Sequence, residues 1–158
     1  MLKFGLLKKG TTAEPIFDGG IFANGGFENG LNGWLEYTSW AAGDNSADNP
    51  GTLVNELLYQ NLTLELDATY KISATQLEGD ALVNFMINDV DSGIDITTGA
   101  HTFVGDGQPR SIGIYVNTGG TYILRIDNMR LVKIADANVV MYNGEVVTHN
   151  GEEVTYNG

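Results

Sequence analysis

Few side chains in this sequence have the types and spacing that covalent chemistry needs. The chain has no cysteine and two histidines, His101 and His149, which removes disulfides, thiolate metal sites and thiol nucleophiles. No nucleophile elbow, phosphate loop or HExxH motif is present. The 20 Asp and Glu residues allow a glycosidase pair by number, but the spacing of about 5 to 10 Å that such a pair needs belongs to space rather than sequence. The chain is expected not to be an enzyme. The acidic run Asn88 to Asp95 resembles a calcium loop at first sight. An EF-hand loop counted from Asp89 needs Gly at its sixth position and Glu at its twelfth, where Ile94 and Ala100 stand, so the run is expected to be an acidic hairpin loop, with at most weak affinity for calcium. What remains is binding chemistry. Tyr37, Trp40 and Tyr59 are candidates to stack on a sugar ring or on a partner's side chain. For Tyr37 and Trp40, which precede a polar stretch, a plain core position is the competing reading.

The elements that must position these side chains are strands. Leu58, Gln60, Leu62, Leu64 and Leu66 share one parity, and Tyr70, Ile72 and Ala74 repeat it after a turn at Asp67 to Thr69. Val83, Phe85 and Ile87 mark a third strand, and Ile112, Ile114 and Val116 a fourth. Tyr122, Leu124 and Ile126 follow across Asn117 to Gly120, which predicts a hairpin with a four-residue loop. Met129, Leu131 and Ile134 close the set. Ala41 to Gly51, rich in Gly, Asp, Asn and Ser, predicts a long surface loop that lines a binding rim or merely connects sheets. Short strands at turn-punctuated intervals predict an all-β protein: a two-sheet antiparallel jelly-roll β-sandwich over 21–135, with an N-terminal arm over 1–20 and a C-terminal hairpin repeat over 136–158.

Composition supports one domain: 158 residues, with 21 Gly and 3 Pro, suit a single core with many tight turns. A net charge of −12 repels phosphate backbones, so nucleic acid is not an expected partner. Lys3, Lys8 and Lys9 gather in the first segment, while Gly5, Lys8 and Lys9 interrupt any apolar run there. Neither a signal peptide nor a membrane span is expected.

Asn24-Gly25-Gly26-Phe27-Glu28 followed by Gly30-Leu31-Asn32-Gly33-Trp34 resembles the opening strand of jelly-roll carbohydrate-binding modules, the type appended to xylanases and glucanases. Leu58-Tyr59-Gln60, the Asp67-Ala68-Thr69-Tyr70 turn and the closing Ile126-Asp127-Asn128-Met129-Arg130-Leu131 are similar to later landmarks of that family, so the resemblance covers roughly residues 20–134. It implies a structural calcium held by Glu28 and Asp127, for which two hard carboxylates plus backbone carbonyls are chemically sensible. Solvated carboxylates are the alternative. In the motif itself, paired glycines permit left-handed backbone or close approach, Phe27 anchors the core, and Trp34 is expected in the core ahead of any ligand role.

The ends depart from the plain module. Tyr142-Asn143-Gly144, His149-Asn150-Gly151 and Tyr156-Asn157-Gly158 recur every seven residues around Val-Thr pairs. Asn-Gly favours the type I′ turn, so the tail predicts a three-strand meander. Too small for a core of its own, the meander is a candidate docking element, a low-complexity tail being the alternative. Such repeats resemble the ends of bacteriophage structural proteins. The expectation is therefore a virion protein, a capsid decoration or cement subunit ahead of a tail component. It would contact other virion proteins through residues 1–20 and 136–158 as a homo-oligomer or part of a large assembly, with glycans as further ligands. The alternative is an extracellular carbohydrate-binding module of a secreted polysaccharide-degrading enzyme, or an adhesin.

Overall fold

A computed structural model of the chain describes residues 19–37, 39–50 and 54–135, together with the strand backbones at 141–142, 145–146, 148–149 and 152–153. The expected arm, up to residue 18, and most of the tail lie outside the described residues. The protein is an all-β sandwich of two antiparallel five-stranded sheets, and its one helical element among the described residues is a 3₁₀ turn at Ile96–Thr98.

The first sheet has the order β1-β4-β9-β6-β7, formed by Leu35–Glu36, Glu56–Thr63, Pro109–Thr118, Leu82–Ile87 and Val90–Asp95. The second has the order β2-β3-β10-β5-β8, formed by Ala41–Ala42, Ala47–Asn49, Leu124–Ala135, Thr69–Glu78 and His101–Val104. β4 and β5, β5 and β6, and β9 and β10 thus fall in opposite sheets, with β9 central in one and β10 central in the other. Alternation explains the core: Leu58, Val83, Phe85, Ile112, Ile114 and Val116 point inward from the first sheet and meet Tyr70, Ile72, Leu124, Ile126 and Leu131 from the second.

The periodicity located the strands, while their partners differ from expectation in several places. Val116 and Tyr122 do not flank a hairpin. β9 pairs with β4 and β6, whereas β10 pairs with β3 and β5, so the link between them crosses from sheet to sheet and leaves Tyr122 67% exposed. Both faces of the sandwich interior needed apolar strands, and two consecutive strands on opposite sides supply them. Leu66 shares the parity of β4 but lies beyond its end and is exposed. Ala41 to Gly51 is not a continuous loop. Ala41–Ala42 pairs with Ala47–Asp48, and Ser46, Ala47 and Asn49 are buried, because β3 supplies an inward row beside β10. The run Asn88 to Asp95 is mostly strand, since Ile87 pairs with Val90 across Asn88 and Asp89, both at positive φ (53° and 67°). That is the two-residue primed turn, and Asn and Asp tolerate it. In the tail, Met141–Tyr142 (β11) pairs with Glu145–Val146 (β12), and Thr148–His149 (β13) with Glu152–Glu153 (β14). These are two separate ribbons rather than one meander: each repeat pairs locally across its own Asn-Gly step.

The opening motif is a looped segment clamped on β10. Gly19 and Gly25 carbonyls accept from the Leu131 and Met129 amides at 3.0 and 2.8 Å, and the Ile21 amide donates to Leu131 O at 2.7 Å. The loop takes up edge groups of β10 where the β5 register slips between Asp127 and Arg130. Gly25 is obligatory for this approach, since a Cβ there would stand 2.1 Å from Met129 O. Phe22, Phe27 and Trp34 form a ring cluster with centroids 5.0 and 5.3 Å apart from Trp34 to the two phenyl rings. All three are buried, so Trp34 is a core residue. Its indole Nε1 donates to Asn24 O at 2.9 Å, and the buried Gln60 amide grips the Ala23 backbone through both its N and its O.

Candidate functional site

The outer face of the first sheet follows from what the inner face takes. With Leu58, Ile114 and Phe85 inward, the residues between them lie on the outer side of the sheet, although Met86, Asn84 and Gly113 are buried there. One row runs Leu35, Tyr59, Gly113, Met86 and Asp91 across all five strands. The next runs Leu57, Tyr115, Asn84 and Asp95, and it is extended past β1 by Tyr37, whose amide donates to Leu57 O at 3.0 Å. Tyr37 is 59% exposed, while Tyr59 and Tyr115 are half-buried. Gly113 has no room for a side chain, since a Cβ there would stand 2.1 Å from Leu58 O of the neighbouring β4.

Beside the three tyrosines stands a polar group fixed by its own hydrogen bonds. The Asp91 carboxylate accepts from Asn84 Nδ2 at 2.9 Å, from the Gly93 amide at 2.8 Å and from Asn117 Nδ2 at 3.5 Å. Asn84 is buried although it lies on the outward row, which leaves its amide little freedom. Tyr115 OH donates to Asn55 Oδ1. Aromatic faces next to oriented amide and carboxylate groups are the equipment for holding a sugar: the rings cover its C–H face and the polar groups bond its hydroxyls.

Of the three stacking candidates from sequence, the structure brings Tyr37 and Tyr59 to this face and puts Trp40 elsewhere. Trp40 is 6% exposed and belongs to the core cluster, because burying its large apolar area outweighs leaving Nε1 without a hydrogen-bond partner among the described residues. Tyr115, Asn84, Asp91 and Asn117 were missed by sequence reasoning. Their signal was the odd parity of β9: once Ile112, Ile114 and Val116 are inward, Tyr115 and Asn117 must be outward.

The two carboxylates singled out for calcium do become neighbours. The clamp of the opening loop on β10 sets Glu28 near Asp127, both half-buried. Burial pushes the Asp127 carboxyl above its ordinary range, and the charge of Glu28 pushes it in the same direction, against the opposing bond from the Asn128 amide. A half-desolvated carboxylate facing a second one is the arrangement a hard cation relieves. The residues fit the ion in that respect. No cluster of three or more Asp, Glu, His or Cys occurs among the described residues, so backbone carbonyls and water would complete the six to eight oxygens of calcium.

Two clefts lie at one end of the sandwich on either side of the exposed Ile123. One, of about 640 Å³, is lined by Glu78, Gly79, Asp80, Tyr122 and Ile123. The other, of about 350 Å³, is lined by Ser39, Ala41, Asp48, Asn49, Pro50 and Ile123, so the Ala41 to Pro50 segment does border a rim. Arg125 bridges Asp48 and Glu78 between them, at 3.2 and 3.0 Å. No helix among the described residues is long and apolar enough to cross a membrane. No family model matches the chain, and no curated protein matches it either.

Proposed function

We propose that this chain is a non-enzymatic structural subunit of a bacteriophage particle, a capsid decoration or cement protein ahead of a tail component, whose jelly roll presents the outer face of its first sheet to glycans. The observation that carries the assembly reading is the pairing of β11 with β12 and of β13 with β14 as ribbons that join neither five-stranded sheet. Two-stranded ribbons of this length are marginal in water without a surface to pack on. Among the described residues of the tail only β12 lies against the sandwich, at β10, and a neighbouring chain in a shell supplies the rest of that surface, by strand addition or by side-chain contact. Residues 1–20 and 136–158 are the contacts in this reading, and the sandwich stands away from the shell. Glu28 and Asp127 hold a calcium ion that neutralises their mutual repulsion and fixes the opening loop on β10.

A second reading, the carbohydrate-binding module of a secreted polysaccharide-degrading enzyme or an adhesin, is favoured by the row of Tyr37, Tyr59 and Tyr115 beside Asn84 and Asp91. It shares the sugar face and dispenses with the shell. Cross-linking mass spectrometry of intact particles separates the two. Cross-links from Lys3, Lys8 or Lys9 and from the tail carboxylates to a shell or tail protein support the virion reading. A free monomer in the native source, with glycan binding that Tyr59→Ala abolishes, supports the second reading and overturns the first.

A further inference from the structure

The opening loop contains three Asn-Gly steps, Asn24-Gly25, Asn29-Gly30 and Asn32-Gly33, and the fold treats them differently. We propose that Asn32 is a self-modifying site, whose side chain condenses with the Gly33 amide and loses ammonia in the folded protein while Asn24 and Asn29 are protected. In this reaction the Gly33 nitrogen gives its proton to solvent base and attacks Asn32 Cγ. The new N–Cγ bond forms, the Cγ–Nδ2 bond breaks, and Nδ2 leaves as ammonia with protons from water. The resulting succinimide takes up one water at either carbonyl and opens to aspartate or to isoaspartate. No oxidant, metal or enzyme is required.

Asn24 cannot reach this geometry without dismantling the loop. Its Nδ2 donates to Gly30 O at 2.8 Å and to Asn32 O at 3.1 Å, its Oδ1 accepts from the Asn29 amide at 3.2 Å, and the following Gly25 is buried against β10. Asn29 has an exposed side chain, but the nucleophile it needs is engaged: the Gly30 amide donates to Phe27 O at 2.9 Å. Asn32 is exposed. Among the described residues its side chain makes no hydrogen bond, and the Gly33 amide has no acceptor. Gly33 is exposed and stands at φ 88°, with only Ala23 atoms, at 3.5 Å and beyond, near where a Cβ would be, so the backbone beside the attacking amide is loosely surrounded.

The product changes the loop where it matters. Asn32 O holds Asn24, and the Trp34 amide donates to Leu31 O at 2.9 Å. Isoaspartate inserts an extra backbone carbon between these two anchors and adds a negative charge to the segment that carries Glu28. The modification therefore works as an ageing mark on the loop.

The test is peptide mass spectrometry with isoaspartate detection on the full chain, held in mildly alkaline buffer and sampled over days, with a parallel sample in concentrated urea. The expected result is conversion at Asn32 about tenfold or more faster than at Asn24 and Asn29 in buffer, with the three rates converging in urea and loop conversion in Asn32→Gln falling to the slow rate of Asn24 and Asn29. Equal rates at the three sites in the folded protein, a faster Asn29, or a folded chain in which Asn32 is as slow as Asn24 would each overturn the proposal.

Discussion

Asp127 shows how a single side chain reports on its surroundings. Its carboxyl is raised by burial and by Glu28, so the folded state holds its proton more tightly than the unfolded chain does. The stabilising contribution of the protonated form is complete below the ordinary carboxylate value and is lost as pH rises through the folded value. Asp127→Asn is therefore expected to be more stable than the parent chain at neutral pH in chelator, with the gain vanishing in acid; thermal melts across pH measure it. Adding calcium should reverse the order, raising the melting temperature of the parent and leaving the variant unmoved. Asp89 and Asp106 behave oppositely. Ser111 and Arg110 hold the first below its usual range, and Arg110 with the Gln108 amide the second, so their contribution is present at neutral pH and disappears as pH falls through the lowered values. At this scale the sequence revealed types and left environments unread. Glu28 and Asp127 came into view through a motif, whereas nothing in the local pattern separated Trp40, which folds inward, from Tyr37, which does not. Both aromatic rings precede the same polar stretch, and only the position of β3 decides which one the core covers.

Strands were legible as strands because alternation is written into the chain, but a strand's partner is chosen by tertiary packing. β9 and β10 illustrate the limit: two alternating runs with a turn-rich link look like a hairpin, yet they lie in different sheets. The same reasoning explains the outer face of the first sheet, proposed above to hold glycans. The inward parity of β9 was plain, and its outward complement, Tyr115 and Asn117, becomes a site only when β4 and β6 are known to be its neighbours. Tyr115→Ala is expected to lower affinity for a bound oligosaccharide at least about tenfold, a loss of about 1.4 kcal/mol, while leaving the melting temperature within a few degrees; glycan arrays followed by calorimetry check both. The junction of the opening loop with β10 makes a separate demand. Gly25→Ala puts a methyl into Met129 O and should cost about 2 to 4 kcal/mol in urea unfolding. A loss below 1 kcal/mol would mean that the loop moves away without consequence for the core.

For the whole molecule, the described tail ribbons share no strand pairing with either five-stranded sheet, and β12 only lies against β10, so their removal is expected to cost the sandwich little. Ending the chain after residue 135 should leave the unfolding midpoint of the sandwich within about 2 °C of the full chain, well inside the shift that 1 kcal/mol produces in a domain of this size. If the proposed virion role holds, association with particles is lost at the same time, as measured by sedimentation of labelled protein with purified shells. A truncated chain that still binds would place the contact on the sandwich.

The central strand of each sheet is also among the last pieces of the sandwich to be made. β9 and β10 are flanked on both sides by strands that precede them in sequence, so a chain emerging from the ribosome carries β1 to β8 with neither sheet able to close. Until residue 118 is available β4 and β6 have no common neighbour, and until residue 135 is available β3 and β5 have none. Each sheet can close only once its central strand is available, in the slow regime of all-β topologies, and the nascent chain exposes pairing edges until then. Chaperones that shield strand edges are thus expected to govern the yield of soluble protein more than the stability of the finished fold does.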